Sequence, residues 1–343
     1  MQNALTFDDV SLVPQYSEIS TRSECCIKTN LTKNIQLNSP IVSSPMDTVT
    51  EVDMATAIAE QGGIGFIHRF VSPSVQSEMV RNVSDKGLLV GAAIGVRDYA
   101  KRIDLLVKAG ISVLMIDVAH GHHKAVGDTI SSIKNLYNVD VIAGNVCTYD
   151  GSRYIIDSGA DCIRCGVGSG HSCSTRQKAA VGVPQLTAIS NAYKAKIDSK
   201  SELCIMADGG VRYPADVAKA IAFGADTVML GYLLSGTDES PGDFHTGNNW
   251  PVYDKYKIYR GSASVDSKTA RNESSHVEGV SMMVPHKGSA IDIINGIHDG
   301  LRSCLSYMGF KKISDFRNKP WSYCQTTYSG QIEATPYGLN KCT

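Results

Sequence analysis

Cys204-Ile205-Met206-Ala207-Asp208-Gly209-Gly210 is an apolar run that stops at an acid and two glycines. Pro214-Ala215-Asp216-Val217-Ala218-Lys219-Ala220-Ile221-Ala222-Phe223-Gly224 then carries apolar residues at helical spacing, and a second apolar run fills 227–233. Proline suits the first turn of a helix, where its missing N–H costs nothing, and glycine suits the end. A short run that is apolar throughout reads as a strand covered on both faces, so this is a parallel β–α–β unit. The unit recurs outward along the chain. Apolar segments ending in Gly, Asp, Ser or Asn also occupy 40–45, 62–68, 88–95, 113–120, 139–146 and 162–168, separated by helical stretches such as 49–60. Eight repeats about 25 residues apart predict an α/β fold of the TIM (β/α)8 barrel type rather than an open sheet.

The expected organisation is a single catalytic barrel domain over 1–343, its last helix at 291–305. Three excursions interrupt it. An active-site loop at 166–178 lengthens the interval between strands six and seven. A mobile flap at about 236–278 alternates like a hairpin over 243–261, around Gly247-Asn248-Asn249, and then turns polar. An irregular tail at 317–343, with Pro320, Gly330, Pro336 and Gly338, needs a surface to order it.

Lys and Arg number 33 against 34 Asp and Glu, a net charge of -1, and neither sign gathers into a block. Nucleic acid and membrane surfaces are therefore excluded as partners in favour of a small molecule. No apolar run approaches the roughly 20 residues that span a bilayer. The 10 cysteines are scattered and the first residues show no basic-then-apolar leader, which predicts a reduced, cytoplasmic protein.

One cysteine stands apart. Cys173 follows Gly166, Gly168 and Gly170 and precedes Ser174, Thr175 and Arg176. Glycines let the backbone bend tightly, and a nearby fixed charge favours thiolate, so the pattern predicts a nucleophile rather than an inert buried thiol. Because strand ends converge at one mouth of a barrel, Cys173 is expected to meet Ser44, Met46, Asp117, Asn145, Arg164, Asp208, Gly209, Gly210, Gly231 and Tyr232. Bare amides at Gly209-Gly210 and Gly231, after strands seven and eight, suit a phosphate, and Asp208 suits a ribose diol.

These residues also carry a resemblance. Leu5-Thr6-Phe7-Asp8-Asp9-Val10, Ser43-Ser44-Pro45-Met46-Asp47-Thr48-Val49-Thr50-Glu51, Ala143-Gly144-Asn145-Val146, the Gly168 to Arg176 loop, Ala207-Asp208-Gly209-Gly210, Tyr259-Arg260-Gly261 and Val284-Pro285-His286-Lys287-Gly288 resemble the IMP dehydrogenase/GMP reductase family, in order from Leu5 to about Phe316. The resemblance implies a purine nucleotide with its phosphate at Ser172, Gly210 and Gly231, its ribose on Asp208 and its C2 over Cys173. Ser44, Met46, Gly209, Tyr232, Tyr259 and Gly261 complete the implied substrate side. Asp117, Asn145, Arg164 and Gly166 match the nicotinamide-cofactor side. The carbonyls of Gly168, Gly170 and Cys173 match a potassium site, and the family's barrels associate as homotetramers. Two departures stand at the phosphate end. The usual Gly-Pro-Gly-Ser-x-Cys reads Gly168-Ser169-Gly170-His171-Ser172-Cys173, and Tyr232 replaces a small residue.

Both reactions of that family pass through the same adduct on Cys173. A dehydrogenase also needs an Arg-Tyr pair on a long flap, absent from 262–277, and most insert paired regulatory domains where only 69–87 lies here. Against this, Asp117-Val118-Ala119-His120-Gly121-His122, Ala207-Asp208-Gly209-Gly210-Val211-Arg212 and Thr237-Asp238-Glu239-Ser240-Pro241-Gly242 read more like bacterial dehydrogenases, and Ser274-Ser275 replaces the reductase's Tyr-Arg. Missing machinery outweighs wording, so the expectation is an NADPH-dependent GMP reductase releasing IMP and ammonia, with Thr175 and Glu278 as a proton-donating dyad. The alternatives are an NAD-dependent IMP dehydrogenase without regulatory domains and a non-catalytic nucleotide-binding homologue.

Overall fold

The computed structural model describes residues 3–97, 99–246, 255–261, 264 and 279–334. Eight parallel strands close a barrel: β1 (Ile41–Ser43), β2 (Ile64–Ile67), β3 (Val90–Ile94), β4 (Val113–Asp117), β5 (Asp140–Val146), β6 (Cys162–Cys165), β7 (Cys204–Asp208) and β8 (Thr227–Leu230). Each pairs with the next, and β8 pairs with β1. Helices α1 (Val52–Glu60), α2 (Pro73–Ser84), α3 (Ala100–Lys108), α4 (Lys124–Leu136), α5 (Tyr149–Asp157), α6 (Gln185–Asp198), α7 (Pro214–Ala222) and α8 (Ala290–Met308) alternate with them. The fold is a TIM barrel. Its strands stop short of the apolar segments because the last residues of those segments, such as Gly166 and Gly209, bend into the mouth with φ of 142° and 96°.

Alternation along each strand sorts the apolar residues into two cores. In β4, Val113 and Met115 point into the barrel while Leu114 and Ile116 face the helices, all fully buried. The interior also takes Phe66, Ile142, Met206 and Met229, and Leu31 and Leu37 beside the antiparallel pair Thr29–Asn30 and Gln36–Leu37. Glycine at 91 is a packing requirement, since a Cβ there would lie 2.3 Å from the Phe66 ring. Cys162 joins the interior and Cys165 the outer core, so the two cysteines of β6 face opposite sides.

Local chemistry sets the helix limits. Asp216 accepts from the Arg212 and Tyr213 N–H groups at 2.8 and 3.0 Å, ahead of Pro214, to start α7, and Gly224 turns out of it with φ of 122°. α8 opens with Ser289 accepting from Ile291 N–H and ends at Gly309, φ 72°.

Two excursions take definite form. After β8, His245–Thr246 pairs with β9 (Lys255–Arg260), which pairs with β10 (Ser281–Pro285), so the three-stranded antiparallel sheet runs past the flap's expected end at 278; Gly247-Asn248-Asn249 lies outside the described residues. The tail read as irregular carries Tyr323–Gln325, paired antiparallel with Val10–Leu12, and a helix at Tyr328–Glu333. Its surface is the chain's own start, with Trp321 packed on Phe223, Phe316 and Tyr323.

Candidate active site

The barrel mouth holds a cavity of about 380 Å³, and every candidate residue named from the sequence lines it except Glu278, which lies outside the described residues. Convergence of strand ends does this, since the contributors come from β1, β4, β5, β6, β7 and β8 and from the loops after them.

Cys173 is exposed at the cavity, its Sγ 3.1 Å from Thr175 Oγ1. The loop carrying it is held from both sides. Cys173 N–H donates to Gly170 O at 3.0 Å, closing a turn, while Val280 N–H donates to Ser172 O at 3.0 Å, so the residues before β10 pair with the loop. Arg260, at the end of β9, reaches Asp47 Oδ2 through Nε at 3.1 Å and Nη2 at 2.6 Å. The flap sheet is thus tied to both the nucleophile loop and the loop after β1. Arg176 crosses Gly168 and Gly182, where a Cβ at either would lie 2.8 Å from its Cγ.

Arg164, also lining the cavity, is buried and holds two carboxylates, Asp117 Oδ1 at 2.6 Å and Asp208 Oδ2 at 2.9 Å. Burial alone would lower its pKa, but the charges of Asp208 and Asp117 outweigh that and raise it. Asn145 Nδ2 donates to the same Asp208 oxygen at 2.7 Å and to Gly166 O at 2.8 Å. Residues assigned from the sequence to separate cofactor and ribose sides therefore form one network. Gly166 permits it, because a Cβ there would fall 2.1 Å from Asp208 O.

The glycine-rich end is lined by Gly209, Gly210 and Gly231. Ser172 is buried with its Oγ 3.5 Å from the Tyr259 hydroxyl, whose phenol burial pushes up to about 12. His171 stacks on Tyr232, ring centroids 3.9 Å apart. Sequence reasoning missed Arg69 and Phe70 as cavity residues, although they directly follow a segment read as strand two. Arg69 Nε stands 3.5 Å from Asp117 Oδ2 and is buried without a hydrogen-bond partner.

A profile of the IMP dehydrogenase / GMP reductase domain matches residues 4–337. The chain belongs to this family. Among its relatives, the inosine-5'-monophosphate dehydrogenase of Borreliella burgdorferi is 36% identical over 406 residues, covering 100% of this chain and 98% of that protein. The dehydrogenase of Cryptosporidium parvum is 38% identical over 384 residues, covering 96% and 94%, and that of Aquifex aeolicus 32% identical over 476 residues, covering 97% and 95%.

Among IMP dehydrogenase / GMP reductase family members, then, these relatives carry the dehydrogenase name, which overturns the expectation of a GMP reductase and favours NAD, the cofactor expected with the alternative. The missing regulatory domains do not exclude a dehydrogenase. The Borreliella protein is matched over 98% of its length within 406 aligned residues, whereas the Aquifex protein needs 476. A relative that is named a dehydrogenase is therefore itself short, and length does not separate the two reactions. Among the described residues no helix is long and apolar enough to cross a membrane.

Proposed function

We propose that this protein oxidises IMP to XMP with NAD through a covalent adduct on Cys173. The observation that carries the reading is the exposed thiol, 3.1 Å from Thr175 Oγ1, in a cavity also lined by a buried Arg164 that holds Asp117 and Asp208, within a chain whose relatives are named for this reaction.

Cys173 Sγ adds to purine C2, and its proton passes to Thr175 Oγ1 and on to solvent. Bare amides at Gly209, Gly210 and Gly231 hold the phosphate while Asp208, fixed by Arg164 and Asn145, presents its remaining oxygen to the ribose. NAD, when bound, supplies the acceptor for the hydride that C2 gives up. Arg69, whose Nε makes no hydrogen bond, and Asp117 and Asn145 suit the polar edge of a nicotinamide. Water then adds at C2, its proton passing through the Thr175 hydroxyl to Sγ, which leaves as the thiol, so the base gains one oxygen and one proton is released overall. The carbonyls of Gly168, Gly170 and Cys173 would hold potassium. Carbonyl oxygens are the hard donors such an ion takes, and no group of three His, Cys, Asp or Glu among the described residues could hold a metal.

Mixing the protein with IMP and NAD should give NADH, measured by its absorbance, and XMP, measured by chromatography. No NADH from a folded protein that binds IMP overturns the reading. Exchange of potassium for lithium should lower the rate at unchanged fold. Light scattering should report the homotetramer that the family implies; a monomer at all concentrations contradicts it.

A further inference from the structure

The end of the barrel away from Cys173 carries a second cavity, of about 280 Å³, built by three chain segments. Cys26 and Lys312 are joined in a single bridge, Cys26 N–H donating to Lys311 O at 2.8 Å and Ile313 N–H to Cys26 O at 3.2 Å. The antiparallel pair Thr29–Asn30 and Gln36–Leu37 forms a second wall, tied to the barrel by Thr29 Oγ1 donating to Asp226 O at 2.7 Å. The third is a short helix, Ile313–Asn318, seated by the buried Ile313 and Phe316. Thr29 and Arg317 both bond to Asp226, immediately before β8 starts, whereas the catalytic cavity opens at Gly231, where β8 ends.

Among the described residues the lining holds three cations, Lys28, Lys312 and Arg317, and no carboxylate. The acids nearby are already engaged. Asp226 is shared by Arg317 and Lys196, Glu24 is taken by Lys311, and Asp315 by Lys319. Among the described residues no carboxylate lies within ion-pair distance of Lys28 or Lys312, and Arg317 Nε is buried and makes no hydrogen bond. A concavity lined by one sign of charge gathers the opposite sign, and an oxyanion there meets charge-assisted donors. The uncharged part of the lining is also specific. Asn30, Gln36 and Ser314 make no side-chain hydrogen bond to a described residue, so their amides and hydroxyl are left for a ligand's hydroxyl groups. No aromatic side chain lines the cavity, so a purine would find nothing to stack on.

We infer that this cavity is a binding site for the phosphate monoester of a small hydroxylated compound, of the sugar-phosphate class, with the phosphate on Lys28, Lys312 and Arg317 and the hydroxyls on Asn30, Gln36 and Ser314. The site is independent of the reaction at Cys173. Its volume, below the 380 Å³ or so of the catalytic cavity, is at the small end for organic ligands and suits a single sugar ring with its phosphate.

Cys26, a free and partly exposed thiol in the lining, reports on the cavity. The test is the rate at which iodoacetamide alkylates Cys26 in the full chain, followed by peptide mass spectrometry, with saturating IMP keeping the catalytic cavity filled and the exposed Cys324 as internal control. Glucose 6-phosphate should slow alkylation of Cys26 and leave Cys324 unchanged, whereas glucose should slow neither. Inorganic phosphate should protect only at a concentration at least about tenfold higher, because it offers nothing to Asn30, Gln36 and Ser314. The double variant Lys28→Gln, Lys312→Gln should need at least about tenfold more glucose 6-phosphate for the same protection, through loss of charge-assisted contacts, and should melt no lower than wild type, since both lysines are exposed. If that variant does not fold, Asn30→Ala with Gln36→Ala reads the same site, by removing the advantage of glucose 6-phosphate over phosphate. No protection of Cys26, protection by glucose alone, equal protection by phosphate, or protection undiminished in the lysine variant overturns the inference.

Discussion

Cys173 does two things that a single substitution can separate. Its thiol forms the adduct, whereas ground-state affinity comes from the phosphate and ribose contacts, so Cys173→Ala should abolish NADH formation and leave the Kd for IMP within a few-fold. Turnover within tenfold of wild type would remove the covalent step. Arg164 is the second residue of consequence. Arg164→Met leaves Asp117 and Asp208 facing each other without their shared cation, and the cost of breaking a buried pair is about 3–5 kcal/mol, read from urea midpoints. Arg164 was legible from the sequence as a strand end and Cys173 from the glycine run before it, and a barrel sends both to one mouth whatever lies between them. Their coupling was not, since nothing in the spacing of Asp117, Asn145, Arg164 and Asp208 says that one guanidinium bridges two acids. Glu278 was assigned on its place in Val277-Glu278-Gly279 and lies outside the described residues.

At the level of elements, α8 carries a titratable lock. His298 is buried, its Nε2 2.7 Å from Ser39 Oγ ahead of β1, and burial, then the Arg302 charge, hold its imidazole down at about 4. The unfolded ring titrates near 6.5, so the fold's stability is complete above that pH and falls as pH drops from 6.5 towards 4, by about 3 kcal/mol in total. His298→Gln should flatten the difference between urea midpoints at pH 7.5 and pH 5; an unchanged difference would place the acid sensitivity elsewhere. The helical spacing around 291–305 made this helix predictable to within a turn at either end. The flap was legible as a hairpin from its alternation, but its anchorage was not. Arg260 reaches Asp47 across 213 positions of sequence, and Val280 reaches Ser172 across more than a hundred. Long-range pairs of this kind leave no local pattern.

The whole molecule is a barrel with a filled interior, and that interior can be tested without touching the site. Gly91→Ala drives a methyl into the Phe66 ring and should cost about 1–3 kcal/mol, measured by denaturant unfolding, with the IMP affinity unchanged. The architecture was readable because the βα punctuation repeats eight times. The choice of reaction was misread because it rested on absences, a short flap and a missing insertion, and a barrel's mouth is assembled by strand ends that neither absence alters. The pairing of Val10–Leu12 with Tyr323–Gln325 was equally hidden, since those strands are more than 300 residues apart. It has a mechanical consequence. Val10 sits opposite Gln325, so the chain enters and leaves this ribbon at the same end. A load applied at Val10 and Gln325 peels the ribbon one rung at a time instead of shearing all rungs together. The terminal ribbon is therefore a zipper: a load drawn across its open end, at Val10 and Gln325, parts that rung before Leu12 and Tyr323.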